Sequence, residues 1–172
     1  MRRRRAAVGS LVFLVLVPGV VAGVVPWWLT GWEAREPLPY WGVAQAAGIV
    51  LVAAGVAVLL QAFRRFVVEG VGTPAPVAPT ESLVVGGLYR YVRNPMYLAV
   101  GATILGQAFV LGRVVLLPYA AAFALAVALF VRRYEEPTLR RRFGSDYERY
   151  TRAVPRWWPR RTAWDGGGHV DR

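Results

Sequence analysis

Residues 93–136 read RNPMYLAVGATILGQAFVLGRVVLLPYAAAFALAVALFVRRYEE, and this stretch decides the fold. It contains two uncharged apolar runs, residues 95–111 and 114–131, which are separated only by Gly112 and Arg113. A run of about 20 apolar residues is long enough for a helix that crosses the hydrocarbon core of a bilayer. The two residues between the runs suffice for a tight turn and not for a folded loop. The stretch therefore predicts a hairpin of two transmembrane helices.

Two further apolar runs precede this hairpin. Residues 8–29 and residues 41–63 are both uncharged. A signal peptide is an alternative for the first run, because Arg2 to Arg5 stand directly before it. The run is too long for one, and no small-residue cleavage site follows it cleanly before Pro26. The sequence therefore predicts an all-α integral membrane protein with four transmembrane helices.

The chain is strongly basic, with a formal net charge of +11, and all 21 of its basic residues are arginine. Four arginines precede the first run, four lie in residues 64–94 and eleven follow residue 131, whereas the two other connecting segments carry one each. Because arginine is concentrated on the cytoplasmic side of membrane proteins, we expect both termini and the middle loop in the cytoplasm. The pattern also excludes nucleic-acid binding as the meaning of the charge, since such a protein would cluster its arginines on a soluble fold.

The composition excludes several kinds of site. The chain has no cysteine, which rules out a disulfide framework, a thiolate metal site and a cysteine nucleophile. Its single histidine, His169, lies in a Gly-rich tail, so neither a histidine metal cluster nor a Ser-His-Asp triad is expected, and no metal is predicted. The absence of lysine and the abundance of alanine, valine, arginine and glycine indicate a GC-rich bacterial genome. The chain is therefore expected to be a multi-pass protein of the bacterial inner membrane.

The segment between the second and third runs has a more distinctive sequence than a simple connecting loop requires. Residues 70–87 are rich in proline and glycine, which argues against a long helix. Pro95 suits the first turn of the third helix, because its missing N–H is not needed there, and Asn94 suits the N-cap position before it. The simpler interpretation of residues 88–97 is a helix started by proline, with an interfacial belt of tyrosine and arginine.

The segment after the fourth run, residues 132–159, predicts an amphipathic helix. Its arginines and acids alternate with apolar or aromatic positions at the spacing of one helical face. Those positions are Leu139, Phe143, Tyr147 and Tyr150. Such a helix is expected to lie on the cytoplasmic membrane surface, and a disordered tail is expected over residues 160–172.

Two adjacent glutamates, Glu135 and Glu136, stand at the exit of the fourth run. A carboxylate that faced lipid there would cost free energy, because its charge would be poorly solvated. At least one of the two glutamates is therefore expected to line a pocket. The simpler alternative is that they form ion pairs at helical spacing with Arg132, Arg133 or Arg140.

The two segments contain a series of short motifs in a fixed order. These are Gly87-Leu88-Tyr89, Arg93-Asn94-Pro95-Met96-Tyr97, Glu135-Glu136, Leu139, Phe143-Gly144, Tyr147, Tyr150 and Val154-Pro155 with Pro159. The series resembles that of the isoprenylcysteine carboxyl methyltransferase and phospholipid methyltransferase superfamily of integral membrane enzymes, which has a histidine where Asn94 stands. The likeness covers residues 70–159, about half the chain.

The resemblance implies an S-adenosylmethionine-dependent methyltransferase, because members of the superfamily bind this cofactor in a cytoplasmic pocket built on membrane helices. The pocket would be formed by a loop over residues 70–94, the start of the third span, the glutamate after the fourth span and the C-terminal amphipathic helix. The implied cofactor-binding residues are Glu81, Ser82, Leu83, Val84, Tyr89, Asn94, Pro95, Met96, Tyr97 and Glu135.

The resemblance also implies catalytic residues. A superfamily arginine lies one helical turn before the glutamate, toward the substrate, and Arg132 is the nearest candidate here, with Arg133 the second. Arg132 would steer a carboxylate acceptor, whereas an amine acceptor needs a base, and Glu135 or Glu136 would serve. Asn94 cannot titrate near pH 7, which excludes a proton-transfer role at that position.

The expected methyl acceptor is a lipid, an isoprenoid or another hydrophobic molecule held in the bilayer. One alternative is an NADPH-dependent sterol-type reductase, which shares parts of the C-terminal architecture and whose 2′-phosphate the arginine-rich tail could hold. Another is a non-catalytic membrane protein that retains the fold, which the departure at Asn94 favours. The Glu-Glu-Pro, Phe-Gly and Val-Pro motifs fit the methyltransferases better than the reductases.

Overall fold

The computed structural model of the chain describes residues 17–69 and 83–166, without the side chains of residues 66–69. Within these ranges the chain forms helices and turns and no β-strand, which confirms the all-helical prediction. The helices are α1 (Val17–Thr30), α2 (Gly42–Glu69), α3 (Pro95–Leu111), α4 (Leu116–Phe130) and α5 (Glu136–Ala153). A 3₁₀ turn, Gly87–Arg90, precedes α3. Two π turns interrupt the α-helical geometry, Val20–Val24 within α1 and Val131–Glu135 between α4 and α5.

Two helices are long and apolar enough to cross a membrane. They are Gly42–Arg65, within α2, and Leu116–Ala153, the continuous run from α4 into α5. The other two apolar helices, α1 and α3, are shorter over the described residues. The first predicted span begins at residue 8, and its residues 8–16 lie outside the described ranges. Many side chains on α2 and α4 are apolar and exposed, among them Val50 at 66% and Leu125 at 62%, as expected for surfaces that face lipid.

Helices α2 and α3 are antiparallel and pack closely. The Trp41 side chain, directly before α2, donates its Nε1–H to the carbonyl of Phe109 near the end of α3 at 2.8 Å. At the opposite end, Ala62 of α2 belongs to the same buried cluster as Met96 of α3. Between these ends the helices meet at glycines, and a Cβ on Gly106 would lie 2.8 Å from the carbonyl oxygen of Gly48. The absence of side chains there lets the two backbones approach each other.

Helices α1 and α4 pack against the other side of α3. Ile104 is fully buried in a cluster with Val100 and Ala120. Two side chains also donate to carbonyls in the π turn of α1: Gln107 Nε2–H to Ala22 at 2.7 Å and the Tyr119 hydroxyl to Val21 at 2.7 Å. Donors that insert into a helix in this way are a known cause of local departure from α-helical geometry. The polar groups of Gln107 and Tyr119 are thereby satisfied inside the bundle.

The bundle has two ends with different roles. The end at which α3 begins, near Pro95, carries the predicted site residues and is called the site end below. At the far end, α3 stops at Gly112, which adopts a left-handed conformation with φ 62° and caps the helix. A Cβ on Gly112 would collide with the carbonyl oxygen of Arg35, so this turn requires glycine on two grounds.

The apolar face of α5 is packed differently from the prediction of a helix on the membrane surface. Tyr147 and Tyr150 are both 3% exposed and pack within the protein against Leu83, Val85 and Trp164. Gly144, with φ 49°, breaks the helical geometry in the middle of α5. The face that the sequence assigns to lipid therefore covers the segment that precedes α3. Because an apolar helical face can be buried against either lipid or protein, its periodicity alone does not distinguish the two.

The first part of the tail that the sequence predicts to be disordered is ordered in the structure. The backbone N–H of Arg160 donates to the carbonyl of Tyr91 at 3.0 Å, and that of Trp164 donates to the carbonyl of Arg90 at 3.0 Å. Residues 160–166 thus follow a defined path along the protein. The remainder of the predicted tail, residues 167–172, lies outside the described residues.

Candidate active site

A buried tyrosine, Tyr89, lies at the centre of the site end. The 3₁₀ turn that carries it begins at Gly87, whose φ of 58° favours glycine. The Tyr89 side chain packs with Val84, Ala62 of α2 and Met96 of α3. Burial, and after it the charge of Glu135, raises the pKa of the Tyr89 hydroxyl well above its usual range. The group is therefore a neutral phenol at any physiological pH.

Two predicted cofactor residues from different helices meet at this end. The Tyr97 hydroxyl, on the first turn of α3, donates a hydrogen bond of 2.9 Å to Oε2 of Glu135. Glu135 is half-buried and ends the π turn Val131–Glu135. A carboxylate held by a tyrosine beside the start of a helix can bind a cationic or hydrogen-bond-donating ligand group. The free N–H groups of the first turn of α3 favour an anionic one.

The neighbouring glutamate, Glu136, has different partners. Arg93 Nη1 donates to its Oε1 at 2.9 Å, and Arg156 donates to Oε1 from Nε and to Oε2 from Nη2, both at 2.6 Å. The side chains of Arg93 and Glu136 are 12% and 11% exposed. Adjacent helical residues point in directions about 100° apart, which is why the two glutamates do not share their contacts. The alternative that the glutamates pair with arginines at helical spacing is wrong for Glu136, since its arginines lie 43 and 20 positions away in sequence.

Arg132 and Arg133 have exposed side chains, and neither forms an ion pair with another described residue. The structure therefore does not bring Arg132 into contact with the two glutamates. It lies at the end of α4, where the apolar helix passes into the charged segment.

Asn94 occupies the N-cap position of α3, with Pro95 as the first helical residue. Its side chain does not cap the helix: Nδ2–H donates instead to the carbonyl of Arg156 at 3.1 Å. The backbone N–H of Arg93 donates to the carbonyl of Pro155 at 3.0 Å. The start of α3 is thus joined to the C-terminal Val-Pro-Arg segment through both backbone and side chain. The prediction that Asn94 occupies the N-cap position is confirmed, but the prediction that its side chain caps the helix is wrong.

The remaining predicted residues divide into two groups. Leu83 and Val84 lie in the apolar clusters beside Tyr150 and Tyr89 respectively, and Pro95 is buried at the start of α3. Glu81 and Ser82 lie outside the described residues. The structure therefore gathers most of the predicted cofactor residues at one end of the bundle, whereas Arg132 stands apart from them.

Several residues of this end escaped the sequence analysis. These are Arg156, Tyr150 as a hydrogen-bond donor, and Trp164. Arg156 follows directly after the Val154-Pro155 motif, but nothing distinguishes it from the other arginines of the tail. Arg93 belongs to the motif series, and its Nε is buried without a hydrogen-bond partner among the described residues.

An apolar cavity of about 170 Å³ lies at the far end of the bundle, lined by Trp41, Phe109 and Leu117 among others. It contains none of the predicted site residues, and Arg113 is the one charged residue in its lining. Among the described residues, no group of histidine, cysteine, aspartate and glutamate side chains is arranged to hold a metal ion.

A family model described as phospholipid methyltransferase matches residues 43–146. No curated protein and no solved structure matches. The matched range includes α2, α3, α4 and the first half of α5, and with them Tyr89, Tyr97 and both glutamates. It covers more than half of the chain, which therefore belongs to the phospholipid methyltransferase family, within the superfamily that its motifs resemble.

Proposed function

We propose that the protein is an S-adenosylmethionine-dependent methyltransferase that acts on a lipid, isoprenoid or other hydrophobic acceptor from within the bilayer. The family match supports a membrane methyltransferase. The observation that carries the proposed cofactor site is the hydrogen bond between Tyr97 and Glu135, which joins two of the motif residues at the start of α3.

The groups present at the site end fit the charges of this cofactor. S-Adenosylmethionine carries an ammonium group, a sulfonium, a carboxylate and a ribose. Glu135 would accept hydrogen bonds from a cationic or hydroxyl group, with Tyr97 fixing its orientation. The unpaired Nε of Arg93 and the first turn of α3 offer donors for a carboxylate. Tyr89, Val84 and Met96 would provide the apolar wall.

Bound S-adenosylmethionine supplies an electrophilic methyl group, so the task of the protein is to place the acceptor in line with it. A carboxylate acceptor needs no base. An amine acceptor must first lose a proton, and Glu135 is the better candidate for accepting it. Both oxygens of Glu136 already accept hydrogen bonds from arginine side chains, so neither is free to contact the acceptor amine. We therefore revise the role of Glu136 from a base to a structural counter-ion.

Arg132 remains our candidate for orienting the acceptor. Its exposed position at the end of α4 would place it near the level of lipid head groups, where it can meet an anionic group. Asn94 replaces the superfamily histidine but keeps a donor, which contacts Arg156. No proton-transfer step is assigned to it.

We further propose that four helices span the bacterial inner membrane, with both termini and the site end in the cytoplasm. The arginine distribution supports this orientation. The cofactor would then enter from the cytoplasm, and a hydrophobic acceptor would enter sideways from the bilayer.

The cofactor proposal is tested by titrating purified protein in lipid nanodiscs with S-adenosylmethionine in a calorimeter. The wild-type chain is expected to bind. Glu135→Gln is expected to weaken binding about 10- to 100-fold, because a hydrogen bond to a charged group contributes roughly 1.5–3 kcal/mol. Tyr97→Phe removes only the orienting hydroxyl and is expected to have a smaller effect. Glu36→Gln, an exposed glutamate near the far end, is the control. Absence of wild-type binding, or equal binding by Glu135→Gln, would contradict the proposal.

The acceptor is identified by a separate experiment. Membranes that contain the protein are incubated with methyl-labelled S-adenosylmethionine, and the lipid fraction is separated and analysed. Label is expected in a lipid of the wild-type membranes, and much less of it in membranes that contain Glu135→Gln. Label confined to protein would rule out a lipid acceptor.

A further inference from the structure

The C-terminal segment, residues 154–165, lies beyond the residues that the family model matches. It nevertheless bonds to the backbone that leads into α3. The carbonyls of Arg90 and Tyr91 accept hydrogen bonds from the N–H groups of Trp164 and Arg160, and the N–H of Arg93 donates to the carbonyl of Pro155, all at 3.0 Å. Three backbone contacts within four residues align the two segments side by side.

Side chains add to these contacts. The Tyr150 hydroxyl, at the end of α5, donates to the carbonyl of Tyr89 at 2.7 Å. Arg90 Nε donates to the carbonyl of Trp164 at 2.6 Å. Asn94 Nδ2 likewise donates to the carbonyl of Arg156, whose guanidinium is bidentate on Glu136. The carbonyls of residues 89–91 therefore all have partners in α5 or in the segment that follows it.

Residues 89–94 have little structure of their own to keep them in place. The only regular element there is the 3₁₀ turn Gly87–Arg90, and such turns are weakly held when isolated. Tyr89 and Asn94 are buried, and buried backbone groups need hydrogen-bond partners. The Tyr89 carbonyl has its partner in Tyr150 of α5. The carbonyls of Arg90 and Tyr91 and the side chain of Asn94 have theirs in the C-terminal segment, so the path of the chain from Tyr89 to Asn94 depends on it.

Trp164 fastens the segment to the protein. Its ring lies 5.4 Å from that of Tyr150, centroid to centroid, and it packs against the cluster of Tyr147, Tyr150 and Val154. Trp158, six residues earlier, is 82% exposed. The two tryptophans therefore provide a matched comparison within one segment, because the Trp164 side chain is packed and the Trp158 side chain is exposed.

We propose that residues 154–165 form a clasp that positions the cofactor-binding residues Tyr89 and Asn94, with Trp164 and Arg156 as its positioning residues. This inference rests on the proposed function, because it assigns the clasp a role at the same cofactor site. The clasp touches the backbone of the site from outside and need not contact the cofactor.

The clasp is tested with three variants of the full chain in nanodiscs: Trp164→Ala, Trp164→Phe and Trp158→Ala. Trp164→Ala is expected to raise the dissociation constant for S-adenosylmethionine by about tenfold or more, the size of effect typical of truncating a packed aromatic anchor. Trp164→Phe retains a ring against Tyr150 and is expected to bind nearly as the wild type does. Trp158→Ala is expected to bind unchanged.

Hydrogen exchange of the same variants separates positioning from global unfolding. In Trp164→Ala, amides of residues 87–94 are expected to exchange faster, whereas those of α2 and α3 keep their wild-type protection. Unchanged exchange and unchanged binding in Trp164→Ala would overturn the clasp while leaving the proposed function intact. Equal loss of binding in Trp158→Ala, or loss of protection throughout the bundle in Trp164→Ala, would also overturn it. A wild-type chain that does not bind the cofactor would refute the proposed function itself, and the clasp's role in binding with it.

Discussion

Glu135 and Glu136 are adjacent residues with different surroundings. Glu135 accepts a hydrogen bond from the neutral Tyr97 hydroxyl, whereas Glu136 lies between the guanidinium groups of Arg93 and Arg156. A buried ion pair adds little net stability over an apolar pair, but removing one partner leaves a buried charge uncompensated. We therefore expect Glu136 to contribute to the stability of the fold, and Glu135 remains the proposed cofactor-binding residue.

Glu136→Gln is expected to lower the free energy of unfolding by about 3–5 kcal/mol, because Arg93 would lose its counter-charge in a buried position. Glu135→Gln, the matched variant, still accepts from Tyr97 and is expected to lower it by about 1 kcal/mol or less. Thermal unfolding of both variants in one detergent compares them. Equal shifts in the two melting temperatures would show that Glu136 has no special structural role.

At the scale of single residues, the sequence predicts a contact only where both residues belong to the motif series. The motif order indicates that Tyr97 and Glu135 belong to one site, and the structure brings them together. It gives no means of selecting Arg156 as the partner of Glu136 among 21 arginines. That pairing depends on the path of the chain after α5, which no periodic pattern records. Whether these residues bind the cofactor remains a prediction.

At the scale of elements, the sequence predicts where a helix begins and ends better than it predicts what the helix packs against. Pro95 and Gly112 delimit α3 at the residues that the apolar run predicts, because proline begins helices and glycine ends them. The apolar runs do not predict the π turn of α1, whose carbonyls accept from side chains of neighbouring helices such as Gln107. The helical face containing Tyr147 was recognised, but its burial against protein was not.

The packing of α2 on α3 gives an element-scale prediction. A Cβ at Gly106 would lie 2.7 Å from Val52 Cγ2 and 2.9 Å from the Val52 backbone nitrogen, so Gly106→Ala must push the two helices apart. It is expected to destabilise the protein by about 1–3 kcal/mol. Gly101→Ala is the matched control on the same helix, because its Cβ would lie 3.7 Å from Phe123, an ordinary contact. That variant is expected to be neutral or to gain up to about 1 kcal/mol from helix propensity. Equal melting temperatures for the two variants would show that α2 and α3 are not in close contact.

At the scale of the whole molecule, the membrane methyltransferase has chemically distinct ends. The site end holds the two glutamates, the clasp and most of the charged side chains, whereas the far end holds Trp41 and the apolar cavity. Antiparallel α2 and α3 connect them. If α2 spans the membrane, residues before it and residues of the clasp must lie on opposite sides.

The absence of cysteine from the chain makes that orientation directly measurable, since any introduced cysteine is the only one. Tyr40→Cys places a thiol at a position that is 96% exposed before α2, and Arg161→Cys places one on an exposed part of the clasp. In right-side-out vesicles, a membrane-impermeant maleimide is expected to label Tyr40→Cys at once and Arg161→Cys only after detergent is added, because arginine-rich segments stay in the cytoplasm. The reverse pattern would keep α2 as a span and invert the proposed orientation. Labelling of both thiols from the same side would show that α2 does not cross the bilayer, and the four-span topology would then be wrong.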